Sequence, residues 1–329
     1  MTLRGSGVAQ EPRMRDFVQV DVFSGTPYGG NPVAVVIDAD GVDDEALARF
    51  ANWTNLSETT FLLPPTPEAR AAGADYRVRI FTPDRELPFA GHPTLGSAHA
   101  WLEAGGVPHN AAEVVQQCEV GLVRVRRDGG ESGDRLAFAA PPLRRGGPIS
   151  EGDLEEMVRI LGINPADVVA AEWVDNGPGW PGLLLASAAA VLAVEPNAAL
   201  FGAGVIGLIG PHATFSQTVA PATGYAAVVS VDESAGASDA DTEPMFEVRA
   251  FIGGASPYED PVTGSLNASL AQWMIGSGRA PRHYIVAQGT RLGRAGRVFI
   301  DASDPAAGAP DDVWVGGRST TCIRGTVLL

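Results

Sequence analysis

These 329 residues predict an α+β architecture of two similar domains with mainly antiparallel sheets. Three observations carry that expectation. Short β-rich runs dominate the chain, punctuated by Gly, Pro and Asp. Helical patterns are few, and a weak internal repeat recurs after about half the chain. Length gives about two domains at roughly 150 residues each. A hydrophobic content of 45% and a mean hydropathy of +0.06 supply enough apolar material for full-sized cores.

The β-rich runs fall at 17–23, 33–37, 59–63, 76–81, 120–126, 183–185, 226–231, 246–251, 284–287 and 297–300. One helix opens at Asp43-Asp44-Glu45 and carries Leu47, Phe50 and Ala51 at helical spacing. A second covers 153–161, and two more follow Gly-rich turns in the repeat. The stretch Gly202-x-Gly204-x-x-Gly207 superficially resembles a dinucleotide loop. It lacks a βαβ setting and an acidic partner, so it reads as an apolar strand or turn. The polar segment DESAGASDADTEP at 232–244 reads as a surface loop, RRGGPIS at 144–150 as an interdomain crossing, and the first dozen residues as a disordered tail.

Charge and composition remove several function classes. The net charge is -16 and the pI about 4.7, which disfavours nucleic acid and anionic membrane surfaces as partners. All 23 basic residues are Arg. Without Lys there is no Schiff base to pyridoxal phosphate or a carbonyl, and no P-loop lysine for a nucleotide. No run of 18 apolar residues occurs and the N-terminus lacks a signal-peptide core, so the expected location is the cytoplasm. Cys118 and Cys322 stand far apart in no metal-like spacing and read as structural thiols. His109, His212 and His283 lie in loop-like surroundings without metal spacing, and His99 sits mid-helix as a packed or partly exposed residue. No metal is expected.

The repeat pairs RIFTPDRELPFAGHPTLGSAHAW at 79–101 with RAFIGGASPYEDPVTGSLNASLAQW at 249–273. Glu86, Pro88 and Gly91 align with Glu259, Pro261 and Gly264 once three residues are inserted in the second copy. Each copy reads strand, Gly-rich turn, helix. Pro93 suits a first helical turn and Ser265 an N-cap. A helix N-terminus presents unsatisfied N–H groups and a positive dipole end, so two that converge would hold a carboxylate and developing negative charge. The plainer reading is a pair of ordinary capped helices. Three polar residues favour the first: His92 and Asp260 near the helix starts, and Glu58 in Asn55-Leu56-Ser57-Glu58-Thr59-Thr60 before a strand. Arg79 and Arg249 are solvated, support the site or contact an acid.

Asn55-x-Ser57-Glu58-Thr59, the segment from Pro88 through Gly91-His92 to Thr94, and Glu259-Asp260-Pro261-Val262-Thr263-Gly264-Ser265 resemble three signature segments of the PhzF-like isomerases of phenazine biosynthesis. Gly30-Asn31-Pro32, Asp175-Asn176-Gly177-Pro178-x-Trp180, Ala287-Gln288-Gly289 and Val315-Gly316-Gly317 also match, in the same order. The resemblance covers the chain from about Asp16 to its end. It implies the diaminopimelate epimerase fold: two domains, 14–140 and 141–317, each a curved antiparallel sheet wrapped around a central helix. The last strand, about 318–329, returns to the first domain. The active site is expected between them, in a cofactor-free homodimer.

The resemblance also implies roles. Glu58 would remove a proton from carbon and redeliver it, with His92 and Asp260 as supporting polar residues. Asn31, Gly91, Gly264 and Ser265 would bind the substrate, the backbone N–H groups around Gly91 and Gly264 taking its carboxylate. The sister mechanism with two cysteines does not suit this chain, which has Ala90 and Asp260-Pro261 where those thiols would stand. A free Glu near pKa 4.3 is a weak base toward carbon acids, so burial is expected to raise Glu58, with His92 stabilising or relaying charge. The sequence therefore points to an isomerase or epimerase acting on an amino-acid-like or cyclic dienoic acid. The alternative is a non-catalytic member of the same scaffold that binds a small acid or a protein.

Overall fold

Alternating burial marks the strands of the computed structural model, which describes residues 12–128, 135–213, 243–303 and 312–329. The predicted strand at 226–231, nearly all of the acidic segment and the N-terminal tail lie outside the described residues. The chain divides into two compact units. The first comprises residues up to Tyr28, Pro32–Phe138 and Arg318–Leu329; the second comprises Gly29–Asn31 and Ala139–Gly317.

The first unit runs β1 (Met14–Val22), β2 (Asn31–Val36), α1 (Asp44–Thr54), β3 (Thr59–Leu63), α2 (Pro67–Ala71), β4 (Tyr76–Phe81), β5 (Glu86–Leu87), α3 (Gly91–Glu103), β6 (Glu113–Cys118), β7 (Gly121–Asp128) and β8 (Arg135–Ala139). The second runs β9 (Arg145–Pro148), α4 (Glu151–Leu161), β10 (Val168–Asp175), β11 (Pro181–Leu185), α5 (Ala188–Ala193), β12 (Val205–Pro211), β13 (Phe246–Ile252), β14 (Tyr258–Asp260), α6 (Gly264–Gly276), β15 (His283–Gln288) and β16 (Gly296–Ala302). The long β17 (Val313–Leu328) begins in the second unit and ends in the first, where it pairs with β1.

Strand pairing turns the weak repeat into a duplicated topology. In the first unit β2–β3 is parallel, β3–β4 and β4–β5 are antiparallel, β4–β6 is parallel and β6–β7 antiparallel. In the second unit β11–β12, β12–β13, β13–β14, β13–β15 and β15–β16 repeat that series with the same senses. The sheets are thus mainly antiparallel with two parallel pairs in each series, which alternation alone does not reveal.

The two motif helices are central, the others peripheral. Nine of the 13 residues of α3 are buried, and nine of the 13 of α6. By contrast α1 buries only Leu47 and Ala51. A helix apolar nearly all round belongs inside. Gly96 of α3 lies so close to Val22 and Val33 that a Cβ there would stand 2.4 Å from the Val33 side chain. Ser97 donates to Thr60 on β3 and Gln116 of β6 donates to Thr94, so the first sheet wraps α3 on several sides. Around α6, Gly207 of β12 meets Leu266, Gly182 of β11 meets Leu270, and Asn267 donates to Gln288 on β15.

Some local expectations need correction. The stretch at 144–150 is not a bare linker: it forms β9, paired with β10, and ends in Ser150, the N-cap of α4. His283 opens strand β15 rather than lying in a loop. The Gly-rich stretch at 202–207 leads, as expected of an apolar strand or turn, into β12, with Gly207 in the strand. Strands β5, β6, β8, β9, β10 and β14 lie outside the predicted runs. Among the described residues no helix is long and apolar enough to cross a membrane, and no cluster of three or more His, Cys, Asp or Glu is arranged to hold a metal.

Candidate active site

In the first unit, the end of α1 delivers Glu58. Asp43 caps the helix by accepting from the Ala46 N–H, and Asn55 stops it in the left-handed conformation (φ 55), which Asn tolerates. The chain then enters β3, where Thr54 and Thr59 share a hydroxyl–hydroxyl bond of 2.9 Å and Thr60 accepts from Ser97. Glu58, between these anchors, is largely covered, its side chain 17% exposed, and its Oε2 stands 3.5 Å from Nε2 of His92.

That spacing suggests an ion pair, but the imidazole is neutral. Burial pushes His92 down to about 3, and a hydrogen bond to the Pro32 carbonyl only partly opposes the shift. At 3.5 Å the contact is also longer than an ordinary hydrogen bond. A neutral His92 ring can accept a hydrogen bond from a protonated Glu58. Burial disfavours the imidazolium form there.

The second unit contains a buried polar network around Asp260, at the end of β14. Asn31 donates to Asp260 Oδ1 at 3.0 Å and to the Val262 carbonyl at 2.9 Å, and Thr263 donates to Asp260 Oδ2 at 2.5 Å. Burial raises the Asp260 carboxyl to about 6 against the pull of these donors. Asn31 was expected to bind substrate. It is fully buried and donates both amide hydrogens to protein acceptors, one of them Asp260.

Gly91 and Gly264 are the first residues of α3 and α6. Neither helix has a side-chain N-cap bond, whereas Asp43, Thr66, Ser150 and Ser187 cap α1, α2, α4 and α5. The central helices therefore keep first-turn N–H groups for another acceptor. Ser265 is not the N-cap: Thr263 holds that position. Ser265 lies in the first turn, where its hydroxyl accepts from Trp180 Nε1 at 3.1 Å and its carbonyl from Asn176 at 2.9 Å. This gives the Asp175–Trp180 motif its purpose, bracing the start of α6.

Register lets the two copies be compared atom row by atom row. Phe81 pairs with Thr59 and Glu86, as Phe251 pairs with Ile206 and Glu259. Glu58 thus corresponds to Val205, Asp260 to Leu87 and His92 to Ser265. Each polar group occurs in one copy and has no acid–base counterpart in the other. The Arg-x-Phe…Glu portion is structural in both copies: Arg79 grips Glu86 and Arg249 grips Glu259 in bidentate pairs. Arg249 is buried, so the solvated reading fails for it.

Gln288, Thr263 and Asn267 were missed as site residues. Gln288 lies in a recognised motif, and a Gln ending the apolar run 284–287 was the available signal. A cavity of about 440 Å³ opens elsewhere on the first unit, lined by Arg77, Arg79, Leu87 and Cys118 among others. It includes neither Glu58 nor His92.

Comparisons with known proteins bear on the family and the fold. The family profile described as "Phenazine biosynthesis-like protein" matches residues 20–325. Antisense-enhancing sequence 1 of Schizosaccharomyces pombe is 34% identical over 316 residues, covering 94% of this chain and 97% of the relative. Trans-2,3-dihydro-3-hydroxyanthranilate isomerase of Pseudomonas chlororaphis is 30% identical over 318 residues, covering 96% and 100%. Among solved structures, the PhzF-family phenazine biosynthesis protein of Bacillus anthracis superposes with a TM-score of 0.75 at 20% identity, covering 96% and 100%. A hydroxyproline epimerase of Agrobacterium vitis shares the fold at a TM-score of 0.53 and 13% identity, covering 96% and 93%.

Proposed function

The chain belongs to the phenazine biosynthesis-like family, and from that premise we propose that it is an isomerase in which Glu58 takes a proton from a carbon of a small carboxylate substrate and returns it. The observation that carries this reading is the Glu58 carboxylate, largely shielded, 3.5 Å from a buried neutral imidazole on the first turn of an uncapped helix. When the C–H bond breaks, its proton goes to Glu58 and its electron pair into the substrate's conjugated acid. Redelivery to another carbon moves the double bond, and redelivery to the same carbon on its other face inverts it. Both outcomes balance without a redox partner, so the proposed reaction uses no cofactor.

The amides of Gly91 and His92, at the start of α3, are the proposed donors to substrate oxygens. Such preorganised N–H groups stabilise charge that develops in the transition state. Asp260 is the proposed second polar group, buried and held on both oxygens. The proposed substrate class is an amino-acid-like or cyclic dienoic acid. Support comes from the Pseudomonas relative, whose name specifies a dihydro-hydroxyanthranilate.

Incubation with a panel of such acids in heavy water tests the proposal. Deuterium is expected on substrate carbon with the wild type. Glu58→Gln is expected to fold normally and lose about 10³-fold or more of the exchange rate, in line with the worth of a general acid–base group. A Glu58→Gln protein that exchanges at the wild-type rate removes Glu58 from the chemistry.

A further inference from the structure

The polar network of the second unit has a fixed direction, and that direction bears on Asp260. Asn267 Nδ2 donates to the Thr263 carbonyl at 2.9 Å, which can only accept, so the orientation of the Asn267 amide is set. The Thr263 N–H, which can only donate, points at Gln288 Oε1 at 3.0 Å, and Asn267 Nδ2 points at the same oxygen at 2.7 Å. The Gln288 amide is therefore set as well. Its Nε2 must donate, and it faces the Asp260 carbonyl at 3.2 Å and Thr263 Oγ1 at 3.0 Å. Thr263 Oγ1 is consequently an acceptor toward Gln288. Its single hydrogen is left for Asp260 Oδ2, 2.5 Å away.

We infer that Gln288 and Thr263 are positioning residues for Asp260: Gln288 fixes the direction of the Thr263 hydroxyl, and that hydroxyl keeps the Asp260 carboxylate ionised and aimed. The inference rests on the reading above for the importance of Asp260, and on the bond directions alone for the wiring. Asp260 is buried, and burial by itself favours the neutral acid. Two donors oppose it, the Thr263 hydroxyl and the Asn31 amide. Glu259, the neighbouring charged group acting on Asp260 among the described residues, raises it, and Glu259 is itself neutralised by Arg249. Thr263 is thus the short, one-directional donor in the set. The first unit has Ala90 where the second has Thr263, and Leu87 where it has Asp260, so the wiring is confined to the copy with an acid to orient.

A carboxyl NMR titration of selectively aspartate-labelled protein tests this without needing the substrate, Asp260→Asn identifying the resonance. Wild-type Asp260 is expected to titrate near 6. Thr263→Val should move the titration up by about one unit, because one strong donor to the charged form is lost. Gln288→Met should raise it by a smaller amount, since the hydroxyl is then free to turn away. Thr263→Ser, which keeps the hydroxyl, should restore the wild-type curve. A Thr263→Val protein that titrates with the wild type overturns the inference. If that variant does not fold, Gln288→Met decides: an upward move supports the wiring and an unmoved curve overturns it. Failure of the reading above appears differently, as full deuterium exchange by Asp260→Asn with the titration shifts intact.

Discussion

Burial sets the protonation state of His92, and the sign of its pH linkage follows. Its folded value of about 3 lies below the ordinary 6.5, so the unfolded chain binds the proton more readily. The contribution of the neutral ring to stability is complete above about 6.5 and is lost as pH falls from there toward about 3. His92→Ala should flatten that acid-side loss in urea melts. It should also slow exchange by roughly 10–100-fold, less than Glu58→Gln, because the ring assists rather than carries the proton. Glu247 on β13 has the opposite sign. Burial raises it to about 7, and it stands 3.3 Å from His212. A carboxyl whose folded value is raised favours the folded state at low pH and loses that advantage as pH rises from about 4.5 to 7. Glu247→Gln should therefore stabilise the protein at pH 8 by up to about 3 kcal/mol and have little effect near pH 4. Equal effects at both pH values would rule out this linkage.

At the scale of elements, one motif has been built twice with different energetic weight. The Arg79–Glu86 clamp sits near the surface, with side-chain exposures of 17% and 34%, and adds a link to the exposed Asp44. The Arg249–Glu259 clamp is 5% and 9% exposed, and Arg249 also donates to the carbonyls of Val191 and Val194 near the end of α5. Removing one member of a buried pair strands a charge, which costs about 3–5 kcal/mol, whereas solvent screens the outer pair to about 1 kcal/mol or less. Denaturant melts should therefore show Arg249→Ala as the severe change and Arg79→Ala as the mild one. Similar losses for both would mean that water reaches the inner clamp. The strands of 59–63 and 76–81 were legible to the residue, because β-branched and aromatic runs end at Asn, Pro or Asp signals. β10 was not legible, since its residues are mostly half-buried and give no clean alternation.

For the whole molecule, net charge matters more than any single pair. A formal charge of -16 means self-repulsion at neutral pH, which salt screens over a Debye length of about 8 Å at 0.15 M. The melting temperature at pH 7.5 should rise between low and physiological ionic strength. A fall would mean that attractive surface pairs outweigh the repulsion. The absence of Lys has a direct chemical readout: amine-selective acylation should label no side chain.

By itself the sequence determined the α+β class, the duplication and the family, and it singled out Glu58, His92 and Asp260 as candidates. Those features are local in the chain: periodicity, turn chemistry and short motifs survive without knowledge of distant contacts. The tertiary structure decided the surroundings of each group. It buried His92, which pushes the ring toward its neutral form, moved the cap of α6 from Ser265 to Thr263, tied the Asn31 amide to Asp260, and brought Gln288 into the network. Each of these depends on burial or on a partner far away in sequence, as with Asn31 and Asp260, 229 positions apart. Desolvation and hydrogen-bond direction exist only once the chain has folded, which is why no reading of the linear order could supply them.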